Sequence, residues 1–185
     1  MNEREPNELT LVCAAREGDK EALQTLLKRN WGWLRGLVYS VLTRRQDLDD
    51  VMQEVCLRVI GRIHTLREPE RFRAWLAILA KREAIRHWRH RPQEVPPSDS
   101  PGYLGDPAED VEKKDLCGRV LEAVRTLPEK YREVFVLAHA GELTYAQMAE
   151  VLDIPITTMQ IRLVRARRMI RDQITGKSEQ KVHEI

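Results

Sequence analysis

Apolar residues recur at spacings of three and four along most of the chain, and neither an alternating run nor an Asn-Gly or Asp-Gly hairpin turn is found. The pattern predicts an all-α protein. Residues 7–17 read as a first helix with Leu9, Val12 and Cys13 inward, broken at Gly18-Asp19, where Asp19 is placed to cap its successor. Leu23, Leu26, Leu27, Trp31, Leu34, Val38 and Val41 line one side of a long second helix ending near Arg44-Arg45. Asp47 is expected to cap a third helix. Its Val51, Val55, Val59 and Ile63 repeat every fourth position and turn Asp50, Gln53 and Glu54 outward. A turn from His64 to Pro69 leads into a fourth helix with Phe72, Trp75, Leu76, Leu79 and Ile85 on its apolar side.

The periodicity then stops. Residues 92–109 hold five prolines and two glycines, the composition of an extended linker. It divides the chain into a first small helical domain (1–91) and a second (110–176), with 177–185 as a tail. In the second domain Leu116, Val120, Leu121 and Val124 mark one helix. Pro128 opens another, with Val134, Phe135, Leu137 and Ala138 inward. Residues 143–171 close the domain as two helices around a tight break. Thr144 and Gln147 have the spacing of a capping box, and Met148, Ala149 and Leu152 form the apolar stripe of the first helix. Asp153-Ile154-Pro155 interrupts it, since a residue preceding proline is pushed from the α region. Ile156, Met159, Leu163, Ala166 and Ile170 give the last helix a buried face, with Thr158, Ile161, Arg162, Arg165 and Arg168 opposite. This is the layout of a helix-turn-helix that offers its second helix to a DNA major groove. Gly176 is expected to end that helix.

Charge sharpens the division. Residues 1–91 carry 18 Lys/Arg against 13 Asp/Glu, residues 92–115 carry 2 against 7, and residues 116–175 carry 9 against 7. Two basic blocks flank an acidic connector, as suits two nucleic-acid-facing domains joined by a segment that avoids nucleic acid. The fourth helix ends in Lys81, Arg82, Arg86, Arg89 and Arg91 around Trp88. Such cations attract phosphates and the indole offers a stacking surface for an unpaired base, although a basic helix end also answers the helix dipole.

Other chemistry is not indicated. The sequence has no phosphate-cradling glycine loop, nucleophile elbow or metal motif, so no enzyme, cofactor or metal is expected. His87 and His90 lie in a cationic run that disfavours a divalent ion, and the cluster Asp47, Asp49, Asp50 and Glu54 suits a helix N-terminus. Cys13, Cys56 and Cys117 are odd in number and far apart, and read as reduced core thiols. Neither a signal peptide nor an apolar run long enough to span a membrane is present, so a cytoplasmic location is expected.

Two segments in this order resemble one family. DLDDVMQEVCLRVIGRI with ERFRAWLAILAKREAIRHWRHR looks like the core-binding and melting region of bacterial sigma factors of the extracytoplasmic-function group. LPEKYREVFVLAHAGELTYAQMAEVLDIPITTMQIRLVRARRMIR looks like that group's C-terminal region, and AAREGDKEALQTLLKRN is similar to its usual start. The resemblance implies a promoter-specificity subunit of RNA polymerase. It implies that Asp47, Asp50, Gln53 and Glu54 dock on the β′ clamp helices of the core enzyme, with the β flap a second contact. Arg67, Arg71, Lys81, Arg82, Arg86, Trp88 and Arg89 would capture the −10 element. Thr157, Thr158, Gln160, Ile161, Arg162, Arg165 and Arg168 would read the −35 element. The acidic linker would run toward the RNA exit path, and an anti-sigma factor is an expected partner.

The match has departures. Met159-Gln160-Ile161-Arg162 replaces a frequent Val-Lys-Ser-Arg run, and Arg82 and Arg86 stand at usual asparagine and aspartate positions. Ile161 could pack on a thymine methyl and Gln160 could read adenine. From the residues alone, a free-standing helix-turn-helix regulator or a helical interaction module remains open.

Overall fold

Short capping motifs set where the helices begin and end. The computed structural model describes residues 6–42, 46–89, 119–120, 122–139 and 143–175, and its regular elements are all helical. Helix α1 (Glu8–Arg16) starts on the Asn7 side chain, which accepts from the Leu9 amide. Gly18, at φ +102°, turns the chain into α2 (Lys20–Leu42). There the Asp19 carboxylate accepts from the Glu21 and Ala22 amides, as its position in the sequence predicts. Helix α3 (Leu48–Arg62) is followed by two 3₁₀ turns, Ile63–Thr65 and Pro69–Arg71, and then by α4 (Phe72–Arg89). Residues 119–120 and 122–126 are helical (α5) and precede α6 (Glu129–His139), α7 (Tyr145–Leu152) and α8 (Ile156–Ile174).

Helix α2 is the axis of the fold, packing against α1, α3, α4 and α6. Its first apolar face joins Leu26, Leu34 and Val38 to Val51, Val55 and Val59 of α3 and to Phe72 and Leu76 of α4. Each fully buried aliphatic or aromatic side chain of this kind contributes roughly 1.5–3 kcal/mol. Asn30 is buried here and fully engaged. Its amide nitrogen donates to the Leu26 carbonyl (2.9 Å) and to Glu8 (3.2 Å), and its oxygen accepts from the Trp33 indole (2.8 Å). A small cluster, Ala123 and Leu127 with Ala166 and Ile170, ties α5 to α8.

A further cluster joins the two halves of the chain. Leu37 of α2 and Ala77 of α4 share one apolar seam with Val134, Leu137, Met148, Leu152, Met159 and Leu163. The sequence divides at the linker, but the described helices on either side of it pack together. Both contributions from the first half lie off the faces read from periodicity, because α2 and α4 are each buried on two sides.

Several predicted faces shift for the same kind of reason. Helix α1 buries Leu11, Val12 and Ala15, leaving Leu9 and Cys13 at the surface, so Cys13 is not a core thiol. Cys56 is half-buried, and desolvation raises its pKa. Trp31 and Ile156 are surface residues, while alanines 74, 77, 80 and 84 carry much of the α4 packing. Asp47 precedes α3 but makes no capping hydrogen bond, because its own backbone is already helical (φ −90°, ψ −8°). The linker, Cys117, His90, Arg91, Leu116, Leu121, Arg44, Arg45 and Gly176 lie outside the described residues.

Candidate polymerase and nucleic-acid interfaces

Helix α3 presents an acidic face that turns apolar along its length. The four-residue repeat of Val51, Val55 and Val59 anchors one side in the core and leaves Asp50, Gln53 and Glu54 exposed. One turn further on the same exterior carries Leu57 and Ile60, 62% and 56% exposed. Two large apolar side chains left in water beside carboxylates are the composition of a protein-docking surface. Reading the helix for its core alone overlooks them; continuing the outer stripe from Asp50 would have found Leu57. Asp47 does not share this face: it is buried, with an oxygen 4.0 Å from His87 Nε2. Asp49 pairs with Arg35 at 2.5 Å. The four acids therefore diverge, and among the described residues no three His, Cys, Asp or Glu side chains converge on one point.

The residues assigned to the −10 element separate into two groups. Arg82, Trp88 and Arg89 on α4, and Arg67 in the preceding turn, are exposed, with the Trp88 ring 64% in solvent. Arg86 lies beside Glu83 (3.3 Å) and Glu54 (3.8 Å), so the α3 and α4 surfaces adjoin. Arg71 and Lys81 face the other way. Arg71 pairs with Glu150 of α7, and Lys81 with Glu133 of α6 at 3.4 Å. Burial pushes the Glu133 carboxyl above its ordinary pKa, opposed by the nearby Lys81 ammonium. A cleft of about 210 Å³ lies beside the Arg71 pair, lined by Leu66, Arg67, Trp75, Ile78 and Glu150 among others.

Helices α7 and α8 form the predicted helix-turn-helix. The Thr144 hydroxyl accepts from the Gln147 amide (3.2 Å) and Gln147 Oε1 accepts from the Thr144 amide (2.9 Å), completing the capping box. Helix α7 ends at Asp153, in the left-handed region at φ 55°. The Ile154 amide reaches back to the Ala149 carbonyl (3.1 Å) and the Asp153 amide to that of Glu150 (3.2 Å). This is a Schellman motif. The stop therefore comes two residues before Pro155, through backbone geometry at Asp153.

On α8, Met159, Leu163, Ala166 and Ile170 are buried as expected. Thr157, Ile161, Arg165 and Arg168 occupy the middle of the outward face, and Gln160 is exposed on its flank. Thr158 and Arg162 are half-buried on the opposite flank. Arg162 lies near enough to Glu133 to favour its charged form. Arg165 donates to the Tyr131 hydroxyl, which holds that phenol below its ordinary pKa. The sequence reading overlooked Val164, 66% exposed beside Ile161 at 54%. Its position three residues after Ile161 on a helix was the available signal.

Two family models match the chain in order. Sigma-70 region 2 covers residues 26–92, from α2 through α4, and sigma-70 region 4 covers residues 117–170, from α5 into α8. The chain belongs to the sigma-70 family. Its relatives place this sigma factor in the extracytoplasmic-function group. It is 28% identical to the ECF RNA polymerase sigma-E factor of Haemophilus influenzae, over 89% of this chain and 93% of the relative. It is 25% identical to the ECF RNA polymerase sigma factor SigW of Bacillus subtilis, over 88% and 94%. In fold it is similar to the sigma factor RpoE in its complex with the anti-sigma factor NepR from Bartonella quintana. That likeness has a TM-score of 0.63 and 18% identity, and covers 82% of this chain and 96% of the other.

This sigma factor acts in transcription initiation, with core RNA polymerase and promoter DNA as partners. A free-standing helix-turn-helix regulator is not favoured, because residues 26–92 of the first half match sigma-70 region 2. Sigma factors are not enzymes in this family's setting. No helix among the described residues is long and apolar enough to cross a membrane.

Proposed function

We propose that this sigma factor divides its work among three surfaces. Asp50, Gln53 and Glu54, extended by Leu57 and Ile60, dock on the clamp helices of core polymerase. Arg67, Arg82, Arg86, Trp88 and Arg89 hold the unpaired −10 strand by phosphate attraction and base stacking, joined by Arg71 and Lys81 when their carboxylate partners are displaced. Thr157, Ile161, Val164, Arg165 and Arg168 enter the −35 major groove. There the arginines reach phosphates and guanines, and Ile161 with Val164 forms an apolar pair for thymine methyl groups. Asp47 supports the junction of α3 and α4 through His87. The observation that carries the reading is the position of the acidic-apolar face of α3 beside the basic, aromatic end of α4. Polymerase docked on the first thereby lies next to a strand held on the second.

The chain has no catalytic role of its own in this scheme; polymerase supplies the chemistry. It works in the cytoplasm, where its template is. An anti-sigma factor is a fitting partner, since the RpoE of similar fold was solved with one. The test is transcription from a randomised promoter library with purified core polymerase. Promoter-selective initiation by the wild type, and loss of core-enzyme capture by Asp50→Arg/Glu54→Arg, are expected. A wild-type chain that core polymerase does not retain would overturn the reading.

A further inference from the structure

Arg165 is held differently from its neighbours on α8. Arg168 pairs with Asp172 one turn along the same helix, at 3.6 Å. Arg167 is exposed. Arg165 is exposed as well, yet it donates across to the Tyr131 hydroxyl of α6. Lys130 and Arg162 lie close enough to that hydroxyl to act on it electrostatically.

The phenol is itself fixed by the fold. Tyr131 stands in the first turn of α6, where its amide donates to the Pro128 carbonyl at 2.9 Å. Its ring is half-buried against the cluster of Ala123 and Leu127 with Ala166 and Ile170. Ala166 directly follows Arg165, so α8 packs on the ring and meets its hydroxyl from adjacent positions. The Lys130 ammonium, 5.2 Å from the ring centroid, adds a cation–π contact.

A phenol suits this position better than a carboxylate does. A guanidinium carries several N–H donors, and a neutral acceptor takes one while leaving the charge and the other donors available. A carboxylate opposes the charge as well, as Asp172 does beside Arg168. An unrestrained arginine also loses rotamer freedom when it binds, and a fixed acceptor removes part of that loss beforehand.

We propose that Tyr131 is a positioning residue for promoter recognition: its hydroxyl holds Arg165 in the orientation in which the guanidinium meets −35 DNA. The inference rests on the assignment of α8 to the −35 major groove. Tyr131 acts through Arg165, so its hydroxyl matters only while Arg165 is present.

The experiment uses holoenzyme assembled from core polymerase and the full chain, on a promoter recovered from the randomised library. Tyr131→Phe keeps the ring and its packing and removes only the hydroxyl. Promoter affinity and the rate of strand opening are measured separately for the wild type, Tyr131→Phe, Arg165→Ala and the double variant. Tyr131→Phe is expected to weaken promoter binding about three- to tenfold, the range of one lost hydrogen bond, with the opening rate unchanged. In the Arg165→Ala background the same change should weaken binding by less than about twofold. Full affinity of Tyr131→Phe, or an equal loss in both backgrounds, would overturn the positioning role. Arg165→Ala at full affinity would overturn the inference together with the assignment of Arg165 to DNA. Weak binding by Arg165→Ala with full affinity of Tyr131→Phe counts against Tyr131 alone. A second measurement needs no variant of Tyr131. In the wild-type chain labelled with nitrogen-15 arginine, the Arg165 side chain, assigned through Arg165→Lys, should be more ordered than exposed Arg167 on the picosecond to nanosecond timescale. Equal mobility of the two side chains would likewise overturn the proposal.

Discussion

Gly18 and Asp153 are the two described residues at positive φ, and they respond to substitution in opposite senses. Nothing lies within 4 Å of where a Gly18 Cβ would sit, so Gly18→Ala meets only the backbone penalty of φ +102°. We expect a loss of about 1 kcal/mol or more in urea unfolding, with an unchanged helical spectrum. Asp153→Gly relieves a side chain held in the left-handed region and should stabilise the turn by up to about 1 kcal/mol, whereas Asp153→Ala should not. Ile161 is a residue-scale test of function. Its truncation to Ala removes an exposed apolar group and leaves the core intact. If it packs on a thymine methyl, transcription from thymine-bearing −35 elements falls roughly 5- to 30-fold, corresponding to about 1–2 kcal/mol. Promoters lacking that thymine should be little affected, and an equal loss on both would remove Ile161 from base reading.

At the scale of elements, the helix-turn-helix was legible because its signals are local. A capping box, a 3.6-residue apolar repeat and a small set of turn residues all act within one or two turns of chain. Thr144→Ala is expected to cost about 1 kcal/mol in unfolding free energy, since it leaves the Gln147 amide without its cap. Helix α3 was equally readable on its buried side, where every fourth residue is aliphatic. Its docking face was only half legible, because an exposed Leu57 or Ile60 has the same sequence signature as a core residue. Helices α2 and α4 were read incompletely for a related reason. Leu37 and Ala77 face a second element, and periodicity registers one buried stripe more readily than two. Alanine compounds the difficulty: it contributes little to a hydrophobic pattern yet lets helices approach closely.

The whole molecule sets the charge state of Glu133, which is isolated only when both halves are in place. Burial raises its pKa despite Lys81 of α4 and Arg162 of α8, and Glu129 of α6 adds to the rise. The folded state therefore binds this proton more tightly than the unfolded chain. Its stabilising contribution is complete below the ordinary value of 4.5 and is lost as pH rises through the raised folded value. The urea midpoint of the wild type should contain this downward component with rising pH, and Glu133→Gln should lack it. Identical pH slopes for the two proteins would mean that the carboxyl titrates as in the unfolded chain.

The sequence by itself determined the all-α class, most helix boundaries, the helix-turn-helix and the family, because these follow from caps, periodicity and motif order along the chain. It also placed most of the candidate polymerase and DNA residues on α3, α4 and α8, with Arg67 in the turn before α4. Only the tertiary structure decided which of those residues face solvent together. It buried Asp47 beside His87 and turned Arg71 and Lys81 toward Glu150 and Glu133. These outcomes depend on which helix covers which face. That is fixed by long-range burial and charge pairing between residues tens of positions apart, which local spacing does not encode.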